Sequence, residues 1–270
     1  MDGTKIRAAI VQMDCIIKNK EMNLSKSIGF LDQLKGKTDI VCFPELFTTG
    51  YNLDIIGDDL NELAETIPGP TTELMGQIAN EHGLAILGTI VEGDKTKEGM
   101  LFNTSFLIDA KGQLVGKYRK SHLYPKEHNY FQKGDKLPVF DLGVCTVGVA
   151  ICFEHAFPQI FTILALKGAE VVFIPSVVPV GYEHVLNLRT RARAQDNQFF
   201  TVAANRVGNE GEVSYCGLSK VVNPRGEVIA EASHDKEELL IAELDLSLIL
   251  KERKLEPVLR NQRPELYHLL

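Results

Sequence analysis

The sequence predicts a layered α/β fold in one domain, with sheets flanked by helices, and three observations predict it. Short apolar, β-branched runs alternate with segments of helical period along the 270 residues. Some runs are joined by tight turns, such as Asp109-Ala110-Lys111-Gly112, so strands pair by hairpins as well as through helical crossovers. No linker interrupts the alternation, and a chain of this length that is 44% hydrophobic can bury a large core. The mixture excludes a purely parallel doubly wound sheet.

Residues 6–11 form an apolar run that reads as a central strand, and 23–34 place Leu24, Ile28, Leu31 and Leu34 on one helical face before Lys35-Gly36 closes the helix. The run 39–43 is a buried strand that stops at Pro44, which cannot donate to a ladder. Residues 58–65 and 71–81 read as helices separated by Pro68-Gly69-Pro70, with Thr71 or Thr72 as a cap. Three strands follow at 85–91, 101–109 and 113–118. The segment 123–137 has little periodicity and reads as a long loop, a length usually tied to function.

The run 144–151 is a buried strand, and a helix is expected over 161–167. Leu166-Lys167-Gly168 and the apolar run after it, ending in Pro175-Ser176, nearly repeat Leu34-Lys35-Gly36 and the run ending in Pro44-Glu45, which suggests a duplicated helix-strand unit. Beyond it come a helix at 183–198, a strand at 199–204, a hairpin of 215–222 with 228–230, and a strand at 239–244. Residues 1–250 form the domain, and the charged tail 251–270 is expected to dock at an oligomer interface.

Composition narrows the function. A formal net charge of -7 and a pI near 5.6 argue against a nucleic-acid or anionic-membrane surface. No apolar run reaches the roughly 18 residues of a membrane span, and residues 1–5 lack a signal-peptide core, so the expected location is cytoplasmic. Five widely spaced cysteines without a CxxC pair fit reduced thiols rather than a disulfide frame or zinc site, and no histidine spacing suggests a metal.

Three chemistry-bearing residues fall just past strand ends, where ligands bind in open α/β sheets: Glu45, Lys120 and Cys152. Taken singly, Glu45 and Lys120 read as surface charges and Cys152 as a small buried hydrophobe. Together they supply a base, a cation and a nucleophile. Cys152, placed at the turn into a helix, would have its thiolate favoured by unpaired N–H groups and the positive end of the dipole.

The blocks Phe43-Pro44-Glu45, Tyr118-Arg119-Lys120-Ser121-His122-Leu123 and Ile151-Cys152-Phe153-Glu154-His155-Ala156-Phe157-Pro158 resemble the signature blocks of the nitrilase superfamily, the carbon–nitrogen hydrolases. The resemblance covers nearly the whole chain, including Asn103, Arg191-Ala192-Arg193-Ala194 and Ala204-Asn205-Arg206-Val207-Gly208. It implies a four-layer α-β-β-α sandwich, a homodimer or higher homo-oligomer, a Glu-Lys-Cys triad, and no metal or organic cofactor. By the resemblance Glu45 shuttles the proton, Lys120 and the Phe153 N–H hold an oxyanion, Cys152 forms a thioester, and Glu127 positions substrate and water.

The implied substrate is a small carboxamide, with N-carbamoyl compounds and nitriles as chemical neighbours and a catalytically silent binding protein as the reading of a different class. Phe153-Glu154-His155 departs from the Tyr-Asp of amidase branches and the Trp-Glu of nitrilases, whereas Phe157-Pro158 and Thr49-Gly50-Tyr51 look amidase-like. Phe153, Tyr51, Glu154, His155, Ser176, Val177 and Tyr182 are the expected oxyanion and substrate contacts. Arg189 reads as part of a helix salt-bridge set, with a carboxylate contact as the alternative, and His122 as packing behind Lys120.

Overall fold

Along the first strand, β1 (Lys5–Gln12), side chains alternate between two interiors: Ala8 and Ile10 enter one, Ala9 and Val11 another. β2 (Ile40–Cys42) does the same, with Ile40 and Cys42 on one side and Val41 on the other. Strands buried on both faces read as continuous apolar runs, which is how both appear in the sequence. A computed structural model describes residues 5–97 and 99–267.

The remaining strands are β3 (Ala85–Gly93), β4 (Leu101–Ile108), β5 (Leu114–Arg119), β6 (Val139–Asp141), β7 (Thr146–Val149), β8 (Val171–Pro175), β9 (Phe200–Ala204), β10 (Asn209–Glu210), β11 (Val213–Ser214), β12 (Lys220–Val222), β13 (Val228–Glu231) and β14 (Glu238–Asp245). One sheet runs β14-β1-β2-β3-β4-β5 and the other β13-β12-β9-β8-β7-β6. In the first, β1, β2 and β3 are parallel and the flanking pairs antiparallel. In the second, β7, β8 and β9 are parallel and the flanking pairs again antiparallel. Strand for strand, the second sheet repeats the first, with β8 in the place of β2.

The helices are α1 (Lys20–Leu34), α2 (Leu53–Ile56), α3 (Leu60–Leu63), α4 (Pro70–His82), α5 (Pro158–Leu166), α6 (Glu183–Asn197) and α7 (Ser247–Leu255). Asn19 caps α1 by accepting the Met22 N–H at 3.1 Å, and Pro70 opens α4 where its missing N–H costs nothing. Leu31 and Leu34 of α1 and Met75, Ile78 and Ala79 of α4 cover the outer face of the first sheet. Ile160, Phe161 and Leu164 of α5 and Leu186 of α6 cover the second. The inner faces meet through Ile10, Cys42, Leu87, Val149, Phe173 and Val202, giving the four layers α-β-β-α.

Several boundaries differ from expectation. Residues 215–219 leave the ladder because Gly217 and Leu218 both take positive φ, so pairing begins only at Lys220. The loop 123–137 contains a 3₁₀ turn, Pro125–Asn129, and is followed by the unexpected edge strand β6. A two-residue hairpin, β10–β11, also went unread. α7 runs across position 250, and its Ile249 packs into the inter-sheet core. Among the described residues, no helix is long and apolar enough to cross a membrane.

Candidate active site

Three chain segments leaving the two sheets build one site. After β2, Phe43 still donates to the Leu87 carbonyl at 3.0 Å; Pro44 then ends the ladder and Glu45 follows, with Leu46 held at a φ of 49°. Lys120 follows β5 and is fixed by its own N–H, which donates to the Asn103 carbonyl of β4 at 2.9 Å. The loop beyond returns so closely that a Cβ on Gly134 would collide with the Arg119 carbonyl oxygen. Cys152 follows β7 at a φ of 46°, a left-handed conformation uncommon for a residue with a Cβ.

Glu45, Lys120 and Glu127 are all fully buried. The Lys120 ammonium donates to Glu45 Oε1 at 2.7 Å and to Glu127 Oε1 at 2.9 Å. Asn103 Nδ2 donates to the same two oxygens, at 2.7 and 2.9 Å, and the Tyr124 N–H donates to Glu127 Oε2 at 2.6 Å. Two oxygens of this cluster have no hydrogen-bond partner: Glu45 Oε2 and Asn103 Oδ1. An ammonium has three donors, so two bonds to carboxylates leave Lys120 one to offer.

Burial pushes the Glu45 carboxyl up to about 7, against the pull of Lys120 and Asn103. Burial works to lower Lys120, but Glu127 and Glu45 outweigh it and hold the ammonium above its ordinary range. Cys152 is raised well above an ordinary thiol, first by burial and then by Glu45, although Lys120 and the Val177 N–H pull the other way. This corrects the expectation of a helix-stabilised thiolate. Cys152 opens a 3₁₀ turn, Cys152–Ala156, and the α-helix starts only at Pro158. The resting sulfur is a thiol that must hand its proton to a neighbouring base.

Glu154 and Ser176 do not enter the cleft. Glu154 Oε1 accepts from Tyr118 Oη at 2.6 Å, from Ser121 N–H at 2.8 Å and Oγ at 2.6 Å, and from His122 N–H at 3.1 Å, while Oε2 accepts from Ile151 N–H at 2.7 Å. It clamps the cysteine turn to the lysine segment. Burial opposes its charge, yet hydrogen bonds from His122, Ser121, Tyr118 and Ile151 hold the carboxyl below its ordinary range. Ser176 is buried and its hydroxyl bonds the Ile174 carbonyl at 3.1 Å. His122 does not pack behind Lys120 either; it is half-exposed and lies against the Phe157 ring, centroids 4.3 Å apart.

Cys152 opens onto a cleft of about 380 Å³ walled by Tyr51, Phe153, His155, Val177, Tyr182 and Tyr215, among others. Behind the wall lies a second buried ion cluster. Glu210 accepts the N–H groups of Tyr51 at 3.1 Å and Asn52 at 2.7 Å and the Tyr215 hydroxyl at 2.8 Å. Arg206 pairs with Glu210, with Asp14 at 2.8 Å and with the Cys15 carbonyl at 2.9 Å. Sequence reasoning gave no role to Asn103, Tyr215 or this pair. The signal for Asn103 was available, since an amide inside an apolar strand needs buried partners.

The arrangement sets a buried carboxyl and a fixed ammonium, whose charges both act on Cys152, behind a thiol that opens onto a largely apolar cleft, which suits acyl transfer to sulfur. Among the described residues, no cluster of three or more His, Cys, Asp or Glu side chains is placed to hold a metal.

Residues 7–253 match the family model described as carbon-nitrogen hydrolase. The chain is 36% identical over 271 residues to a protein of Pyrococcus abyssi named nitrilase, covering 97% of this chain and 99% of that one. It is 32% identical over 261 residues to the 2-oxoglutaramate amidase of Bacillus subtilis, covering 95% and 97%. The crystal structure of a carbon-nitrogen hydrolase from Helicobacter pylori superposes with a TM-score of 0.92 at 27% identity, over 99% of this chain and 98% of that one.

Proposed function

The chain belongs to the carbon–nitrogen hydrolase family of hydrolytic enzymes, and we propose that it hydrolyses a small carboxamide to ammonia and a carboxylic acid through a thioester on Cys152. One observation carries this reading: Glu45, fully buried and near enough for its charge to raise the Cys152 thiol, keeps an unpartnered oxygen and has its carboxyl pushed up by burial to about 7, where a group that must both take and give protons is most effective.

Glu45 takes the Cys152 proton as sulfur attacks the amide carbon. The third Lys120 N–H and the Phe153 backbone N–H receive the oxyanion. Glu45 then returns the proton to the departing nitrogen, which leaves as ammonia. Water attacks the thioester while Glu45 accepts its proton, and collapse expels the Cys152 thiolate, which is reprotonated by Glu45. Glu127 fixes the ammonium throughout, and Asn103 holds the two carboxylates by donating to both. Nitrile hydrolysis at the same three residues is the second reading, supported by the similarity to the Pyrococcus abyssi protein named nitrilase.

Screening amides, N-carbamoyl compounds and nitriles for ammonia release, with mass spectrometry of the quenched enzyme, tests the proposal. Ammonia release with an acyl adduct on Cys152 is expected. Absence of release across the panel, with Cys152 unreactive, would overturn it in favour of a silent binding protein. The exposed Leu255, Leu266 and Tyr267 support a tail that packs on a second copy, which light scattering would read as a dimer or larger.

A further inference from the structure

At the far end of α5 from the cysteine turn, a second cavity of about 510 Å³ opens between α5, α7 and the tail. α5 has nine residues and is about 13 Å long, and the two cavities share no lining residue. Leu166 and Leu259 give the second cavity an apolar side, and Gln198, Arg253, Lys254 and Arg260 give it a polar one. On a chain of net charge -7, three cations around one hollow are a local reversal of sign.

These cations are not spent on neighbours. Arg225 pairs with Glu252 at 2.8 Å and Arg263 with Glu265, but Arg253, Lys254 and Arg260 form no ion pair among the described residues. Arg253 Nε and Nη2 are buried without a hydrogen-bond partner. They belong to one edge of the guanidinium, where parallel N–H bonds match two oxygens of a single anion. Burial holds the Arg253 guanidinium below its ordinary range against the pull of Glu170, whose Oε2 already accepts the Thr146 N–H at 2.9 Å. Gln198 is 3% exposed, and its Nε2 donates to the carbonyls of Glu252 at 3.2 Å and Glu256 at 2.6 Å, which leaves Oε1 buried and unpartnered. Buried polar groups are normally satisfied, and here two donors and an acceptor border one hollow with nothing to bind.

We propose that this cavity binds a phosphoryl group, held in a bidentate grip by Arg253 with Lys254 and Arg260 beside it and a phosphate O–H donated to Gln198 Oε1. Three cations suit a group that carries close to two negative charges at neutral pH better than a carboxylate, which carries one. An ionised carboxylate also has no O–H for Gln198, whereas hydrogen phosphate has both acceptors and a donor. Free phosphate and the phosphate of a small ester offer the same group, the ester adding a body for Leu166 and Leu259 to cover. The cavity has room for either. Nothing in this inference depends on the chemistry at Cys152.

Calorimetry of the full chain with inorganic phosphate, phenyl phosphate and benzoate, at one ionic strength, tests it. Both phosphates are expected to bind and benzoate to bind at least about tenfold more weakly, with Arg253→Met weakening phosphate binding about tenfold to a hundredfold. Tighter binding of phenyl phosphate assigns the site to an ester; equal or tighter binding of inorganic phosphate assigns it to the free ion. Should Arg253→Met fail to fold, Lys254→Gln/Arg260→Gln alters two exposed side chains only and should weaken binding about threefold to tenfold. The proposal is overturned by an affinity that Arg253→Met leaves unmoved, or that the double variant leaves unmoved where it is the one that folds. Benzoate binding as tightly as phosphate overturns it too, as does no binding of either phosphate, the result expected if the tail of a second copy fills the cavity instead.

Discussion

Two buried ion clusters lie within one wall's thickness of each other, and they are finished differently. Around Arg206, both Glu210 oxygens, the guanidinium and the adjoining Tyr215 hydroxyl all have partners. Around Lys120, Glu45 keeps one oxygen unpartnered, and its carboxyl has been pushed up to about 7. A buried charge left incompletely solvated costs free energy that packing elsewhere must offset. The first cluster holds shape, whereas the second holds a proton in readiness.

The sharpest way to break this contrast is to remove the sulfur. Cys152→Ala is expected to lower kcat by about 10⁴-fold or more while the thermal midpoint moves little, because it deletes the nucleophile and almost no packing. Glu210→Ala should do the reverse. Leaving Arg206 buried with Asp14 as its one remaining carboxylate partner should cost about 3–5 kcal/mol of stability, read by denaturant titration, and raise KM as Tyr51 and Tyr215 lose their anchor. If Glu210→Ala abolished kcat at full stability, the division of labour drawn here would fail.

Glu127→Gln tests the middle ground, since it removes one of two carboxylates that fix Lys120. We expect kcat to fall by roughly 10²–10³-fold, the scale of a displaced oxyanion donor, without unfolding. A smaller effect is a pH dependence. Glu45 must be ionised to take a proton, and its carboxyl is raised to about 7, so kcat/KM should fall as pH drops through that region. Asn103 donates to the ionised Glu45 and pulls its pKa down, so Asn103→Leu should move the acid limb to higher pH. The three groups titrate as a set, and the profile reports the set.

Much of the scaffold was legible because buried strands announce themselves. The run ending at Cys42 is apolar and its ladder stops at Pro44, the run through Val149 stays apolar to Ile151, and the mixed strand ending at Arg119 stops just before Lys120, so Glu45, Lys120 and Cys152 stand out past strand ends. What stayed hidden depends on tertiary contact. Glu154 sits one residue beyond the nucleophile's neighbour and looked like a substrate contact, but its carboxylate turns back to collect donors from the lysine segment. Ser176 follows a strand and proline just as Glu45 does, yet its hydroxyl satisfies a carbonyl of its own strand. The positive φ of Cys152, Leu46 and Leu218 has no glycine to flag it. Nor can local sequence report that burial makes the Cys152 thiol harder, not easier, to ionise.

The repetition of one sheet by the other has an implication for ancestry. Where the first half carries a carboxyl after its central strand, the second carries a hydroxyl at the matching place; the sulfur exists only in the later half and the amine only in the earlier. Two copies of either half, joined like with like, would present doubled bases or doubled thiols and no working combination. Divergence after duplication, rather than duplication itself, would then have been the step that made a reactive seam.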